Sequence, residues 1–129
     1  MSDRLHIIVT SGTREKLQMA AMTAAVAAAG GTDVGLFVSM NALAFFRRDG
    51  APEASAEGEV GHLLEARHAP RFQDLFAQAV DLGSVKIYPC SMAMDILSLG
   101  PDDLLPYLDK PTGLTKFLAE LEGSHVLTF

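Results

Sequence analysis

The chain has 129 residues, room for one domain with a real core, and 49% hydrophobic against 20% charged residues marks it as globular. The formal net charge is −6 and only Arg47-Arg48 places two basic residues side by side, so no nucleic-acid or anionic-membrane partner is expected. A single cysteine excludes a disulfide framework and favours a reducing cytoplasm.

From the N-terminus, Met1 to Val9 holds too short an apolar run for a secretory signal. Leu5 to Thr10 reads as a strand buried on both faces. Ser11-Gly12-Thr13 breaks it, with Thr13 as the expected N-cap of a helix from Arg14 to Ala29 that Gly30-Gly31 stops. Alanines make this helix apolar nearly all round, so it should lie pressed between the sheet and another body, such as a second subunit. The apolar stretch from Leu17 to Gly31 is mostly alanine. It falls short of the ~20 strongly apolar residues of a membrane span, and no integral membrane segment is expected.

Thr32 to Ser39 reads as a second buried strand and Met40 to Arg47 as a short helix. Asp49 to Gly61, rich in Gly, Pro, Ser and Glu, reads as a mobile loop within one domain spanning 1–129. Helical spacing resumes loosely at His62 and clearly from Pro70 to Leu82. Ser84 to Pro89 is the third strand, Ser91 to Leu99 a helix, and Gly100 to Asp103 opens another short one. A brief extended piece is expected near Tyr107 to Asp109. Thr112 should cap a last helix through Leu121, before a strand from Ser124 to Phe129. Alternation of this kind predicts an α/β fold: a three-layer α/β/α sandwich around a mainly parallel sheet of about five strands.

The chemistry centres on Cys90. It falls at the carboxyl end of a strand, where ligands bind in open parallel sheets, and at the start of a helix. Free N–H groups and the positive dipole end there favour a thiolate, the nucleophilic form. The alternative is that Cys90 is a small buried hydrophobe. Asp95 suits a structural role better than contact with the sulfur, because a carboxylate beside the thiol would oppose its ionisation. Met92 and Met94 fall on different helix faces and are expected to pack. His6 and His125 sit in apolar strands and read as core or interface residues, while His62 and His68 flank the loop that could fold over the cysteine. No cluster with metal-ligand convergence is visible, so no metal is expected. Ser11-Gly12-Thr13 could cradle an anion, although a plain helix cap is the simpler reading.

Three segments give the chain a family resemblance: Ser11-Gly12-Thr13 with its alanine-rich helix, Val34 to Arg48 with Asn41-Ala42-Leu43, and Cys90-Ser91-Met92-Ala93-Met94-Asp95. The chain resembles the DsrE/DsrF-like sulfur-relay family, in its peroxiredoxin-like branch, and the last segment is similar to that family's Cys-x-Met-x-Met-Asp signature. Ala93 stands where a serine is usual. The resemblance implies that Cys90 accepts sulfane sulfur as a persulfide and passes it to another sulfur-carrier protein, a small thiol carrier or a rhodanese-like donor being the partners. It also implies a homo-oligomer, a trimer or hexamer, without metal or organic cofactor. Ser11, Gly12, Thr13, Asn41, Ser91 and Met92 are the candidate binding residues. With no second cysteine, an internal disulfide relay is impossible. Two other readings stand beside this one: a thiol redox sensor or peroxidase-type protein, and a non-catalytic oligomeric module.

Overall fold

A computed structural model describes residues 4–129. Four strands, β1 (Arg4–Val9), β2 (Asp33–Val38), β3 (Val85–Pro89) and β4 (His125–Thr128), form one sheet in the order β3-β2-β1-β4. Every pair is parallel, with Ile7 opposite Leu36 and Leu36 opposite Ile87. The pleat sends Ile7, Val9, Leu36, Val38 and Ile87 to one face, where all are fully buried. The helices α1 (Arg14–Ala29) and α4 (Phe72–Asp81) cover that face and pack on each other. Leu17, Ala20, Ala21, Ala24 and Ala28 form the inner side of α1, their small side chains allowing close approach.

The opposite face is more thinly covered. There α6 (Leu114–Ala119) inserts one buried ring, Phe117, against Phe37 at 5.1 Å, His6 at 5.1 Å and Tyr88 at 6.4 Å between centroids. Helices on both faces of a parallel sheet confirm the expected α/β sandwich, with four strands among the described residues.

The expected fifth strand is a different object. The segment after Tyr107 runs along the outer edge of β3, Asp109 N–H donating to Ile87 O at 2.7 Å and Thr112 N–H to Pro89 O at 2.9 Å. Lys110 N–H turns back to the Asp109 carboxylate at 2.8 Å, so beyond the Asp109 bond the contact is one isolated parallel bridge between Cys90 and Thr112, not a continued ladder.

The remaining helices are short: α2 (Met40–Leu43), running into a 3₁₀ turn at Ala44–Phe46, α3 (Glu59–Ala66) and α5 (Ser91–Ile96). The expected helix at Met40 to Arg47 is thus helical through Phe46 but divided between α and 3₁₀ geometry, and the one expected from Ser91 to Leu99 ends at Ile96. The last helix also starts later than expected. Gly113 holds its N-cap position, because the Thr112 hydroxyl donates instead to Lys110 O at 3.0 Å.

Part of the 49–61 segment has tertiary anchors that its composition does not advertise. Arg14 N–H donates to Ser55 O at 2.8 Å, and Ala54 is buried. The Glu15 carboxylate accepts N–H bonds from Glu57 at 2.8 Å and Gly58 at 2.8 Å, so a side chain of α1 caps the start of α3. These bonds, that from Glu57 foremost, hold the Glu15 carboxyl below its usual range. Gly61 completes the fit, since a Cβ there would sit 2.5 Å from Glu15 Oε1.

Candidate functional site

The loops after β1, β2 and β3 meet at the carboxyl edge of the sheet, where backbone bonds tie them together. Ser39 N–H donates to Val9 O at 3.0 Å and Ala42 N–H to Thr10 O at 3.3 Å. Cys90 N–H donates to Val38 O at 2.9 Å, carrying the pairing of β2 and β3 one residue past the strand end. Cys90 then occupies the N-cap of α5 with extended backbone, and its side chain makes no capping hydrogen bond. Ser91 N–H is taken by Thr112 O at 3.1 Å. The thiol is therefore where the strand pattern placed it, at a strand end and a helix start. It is also 4% exposed, within the edge of the core.

Two exposed methionines lie in the short helices that follow β2 and β3. Met92 is 51% exposed, contrary to the packing expected of it, because the six-residue α5 buries only Ala93 and Met94. Met40 is equally exposed, at the start of α2, which packs against α5. Its φ of +51° lies in the left-handed region that a residue with a Cβ seldom adopts. Sequence reasoning missed Met40, and no glycine or asparagine was there to signal the turn. Met94 packs in the core as expected, and Asp95 is exposed.

The candidate binding residues fall into two groups. Gly12 lies against Asn41, whose Cβ would be 3.1 Å from a Cβ at position 12, and against the Phe45 ring at 3.0 Å. Ser11 and Thr13 belong to this group, their hydroxyls 3.1 Å apart. Thr13 occupies the N-cap of α1, yet its hydroxyl does not cap the helix. It donates to the Glu57 carboxylate at 2.8 Å, so the chain's own carboxylate sits where a cradled anion would. Ser91 and Met92 form the second group beside Cys90, with the end of β2 between the two.

Several concavities open among the described residues. A groove of about 520 Å³ borders the cysteine strand through Pro89, with Leu104, Leu108 and Pro111 in its walls and Arg48, Asp109 and Lys110 at its charged positions. A cavity of about 480 Å³ lies where Arg14, Gln18, His68 and Arg71 meet the start of α4. His68, at one flank of the loop that could have folded over the cysteine, lines this cavity. A third, of about 290 Å³, opens on the thinly covered face of the sheet. Among the described residues no group of three or more His, Cys, Asp and Glu side chains is placed to hold a metal ion. Nor is any described helix long and apolar enough to cross a membrane.

Of the two strand histidines, His125 is exposed and His6 is buried. Burial, and then the positive charge of Arg4, hold His6 below its ordinary value of 6.5, against a smaller opposing pull from Glu120. The unfolded chain therefore binds a proton at higher pH than the native state does. Stability from this group is complete above about pH 6.5 and falls as the pH drops toward the lower native value. Thermal melts between pH 7.5 and 5 should show a decline that His6→Gln flattens. Parallel declines in the two proteins would contradict this.

A parallel sheet with helices on both faces and a lone cysteine at a strand end defines an α/β protein of the small thiol-bearing kind. The family model for DsrE/DsrF/DrsH-like proteins matches residues 53–129, and the chain belongs to that family. Two solved structures share the fold along nearly the whole chain. The ychN protein from E. coli is 17% identical with a TM-score of 0.63, covering 98% of this chain and 99% of its own. MTH1491 from Methanobacterium thermoautotrophicum, described as a protein of unknown function, is 15% identical with a TM-score of 0.61, covering 98% of each chain. At such identities the likeness is one of fold. Comparison with curated proteins finds no match.

Proposed function

We propose that the chain is a sulfur carrier that holds sulfane sulfur as a persulfide on Cys90 and passes it to a partner protein. The observation that carries this reading is the position of the only thiol, at the end of β3 and the start of α5, in a member of the DsrE/DsrF/DrsH-like family. Cys90 thiolate attacks the outer sulfur of a donor persulfide, R–S–SH. The S–S bond of the donor breaks, Cys90–S–SH forms, and the donor leaves as a thiolate. An acceptor thiolate then takes the outer sulfur in the same way and returns Cys90 to its starting state. No net oxidation occurs and no cofactor is needed. A protein that works with a free thiol suits a reducing cytoplasm. The partners are other sulfur carriers, a small thiol carrier or a rhodanese-like donor.

One observation favours a second reading. At 4% exposure Cys90 could be an inert core residue of a non-catalytic module. Iodoacetamide separates the two. The carrier reading expects native protein to be alkylated at Cys90 in minutes, and labelling only after unfolding would support the inert module. Consumption of peroxide with a thiol reductant, without uptake of sulfane sulfur, would favour a redox sensor or peroxidase instead.

The carrier is a homo-oligomer in this proposal, a trimer or hexamer. Met19, Met22 and Val26 form an exposed apolar stripe at helical spacing along α1, and every residue of β4 is exposed. Light scattering at micromolar protomer concentration should give three or six times the chain mass. A monomer would refute the assembly without touching the chemistry of Cys90.

A further inference from the structure

The two outer edges of the sheet are finished differently. Along β3 the edge is occupied, with Asp109 N–H bonded to Ile87 O and Thr112 N–H to Pro89 O. Along β4 every residue is exposed. Phe129 N–H donates to Ile8 O at 2.8 Å, and Phe129 O accepts from Thr10 N–H at 2.9 Å. With Ile7 opposite Leu127 in a parallel register, His125, Leu127 and Phe129 therefore bond inward to β1. Val126 and Thr128 turn their N–H and C=O groups outward, and none of these has a partner among the described residues.

Such an edge is a template for another strand, and proteins that work as single copies blunt it with lysine, proline, a bulge or a covering element. From Ser124 to Phe129 there is no Asp, Glu, Lys, Arg or Pro, and the register with β1 runs without a break. Val126 and Leu127 add exposed apolar surface, one on each face of the sheet. The chain carries −6 in all, so two copies repel each other except through an uncharged surface, which this strand supplies.

The edge also fits itself. About a two-fold axis at Leu127, Val126 stands opposite Thr128 of the second copy and exchanges both backbone bonds with it. His125 then faces Phe129 of the second copy, and Leu127 meets its own counterpart in the closer, non-hydrogen-bonded kind of pair. A two-fold register that sets Val126 opposite itself would bring Thr128 against Ser124, whose N–H is already bonded to Leu121 O at 2.9 Å. Because the β3 edge is occupied, head-to-tail stacking of sheets is blocked and the two-fold contact closes on itself.

We propose that β4 pairs antiparallel with β4 of a second copy of this chain, joining two four-stranded sheets into one across a two-fold axis at Leu127. The pairing rests on the homo-oligomer proposed above and narrows it to an even number of chains. It is independent of the sulfur chemistry proposed for Cys90.

The test is disulfide trapping in a Cys90→Ala background at micromolar concentration, with oxidised glutathione. Leu127→Cys places two thiols on residues whose Cα atoms are about 4.5 Å apart, within disulfide range. It should convert almost fully to a covalent dimer that dithiothreitol dissolves. Val126→Cys stands diagonal to its own counterpart, at about 7–8 Å, and should give at least roughly tenfold less dimer in the same time. Thr128→Pro removes an outward N–H and no bond to β1, so the protomer should keep its circular dichroism spectrum. Its mass by light scattering should fall to half that of the native assembly, and Leu127→Cys should no longer cross-link when combined with it. If Thr128→Pro does not fold, the two cysteine variants decide the matter. Absence of the Leu127→Cys disulfide, equal yields from the two variants, or a native assembly with an odd number of chains would overturn the pairing. A native trimer without the disulfide would do so while leaving the homo-oligomer standing.

Discussion

Phe46→Ala should lower the unfolding free energy by about 3–5 kcal/mol, the usual range for deleting a fully buried aromatic ring. Phe46 ends the 3₁₀ turn after α2 and is 0% exposed. Its ring packs tilted, at 5.3 Å between centroids, against Phe76 of α4, also 0% exposed, and its backbone carbonyl accepts Leu105 N–H at 2.9 Å. One residue thus joins the helix layer, through its ring, to the segment that lines the groove beside Pro89, through its backbone, and Phe46→Ala removes the first link alone. Removing it costs the transfer energy of the ring and leaves a cavity that two fixed elements cannot close. A small domain has only about 5–15 kcal/mol in hand, so the variant should melt at least roughly 10 °C lower. Leu82→Ala, on a side chain 59% exposed just after α4 and outside the apolar stripe of α1, should change stability by less than about 0.5 kcal/mol. Urea unfolding of both variants at one protomer concentration checks the pair. A loss below about 1 kcal/mol for Phe46→Ala would show that the layer repacks around the gap.

The strands were legible because each is a short run of branched apolar residues bounded by turn residues, and α1 because alanine and leucine dominate it. What the sequence hid came from contacts distant along the chain. The start of α3 at Glu59 rests on the carboxylate of Glu15, more than forty residues earlier, and no local pattern announces it. The extended piece near Tyr107 was visible, but whether it would join the ladder depended on Lys110, whose N–H turns to the Asp109 carboxylate instead of β3. Thr13 was placed correctly at the start of α1, yet its hydroxyl went to Glu57, a partner no spacing rule supplies.

At the site the pattern gave Cys90 its place, since strand end and helix start follow from the run Ser84 to Pro89 and what comes after it. Its burial was not readable, because that depends on how Thr112 and α2 close around it. Met40 was invisible for another reason. Its left-handed backbone is imposed by the turn between β2 and α2, and methionine carries no preference that betrays it.

Uptake of sulfur by Cys90 is the central claim, and its loss on substitution is the largest functional effect expected. The thiol is the only one in the chain, so any persulfide formed must sit on it and cannot collapse into an internal disulfide. It has to wait for an acceptor, which makes the intermediate long-lived enough to weigh. Cys90→Ala removes the nucleophile and leaves a side chain that fits the buried position, so the fold should persist while uptake falls to nothing. Native protein treated with polysulfide, freed of excess reagent and measured by intact mass spectrometry, should gain about 32 Da, one sulfur atom, and lose it again with dithiothreitol. Cys90→Ala treated in the same way should gain no mass. Reducible sulfur on the substituted protein, or none on the native protein from any persulfide or polysulfide donor, would contradict the account.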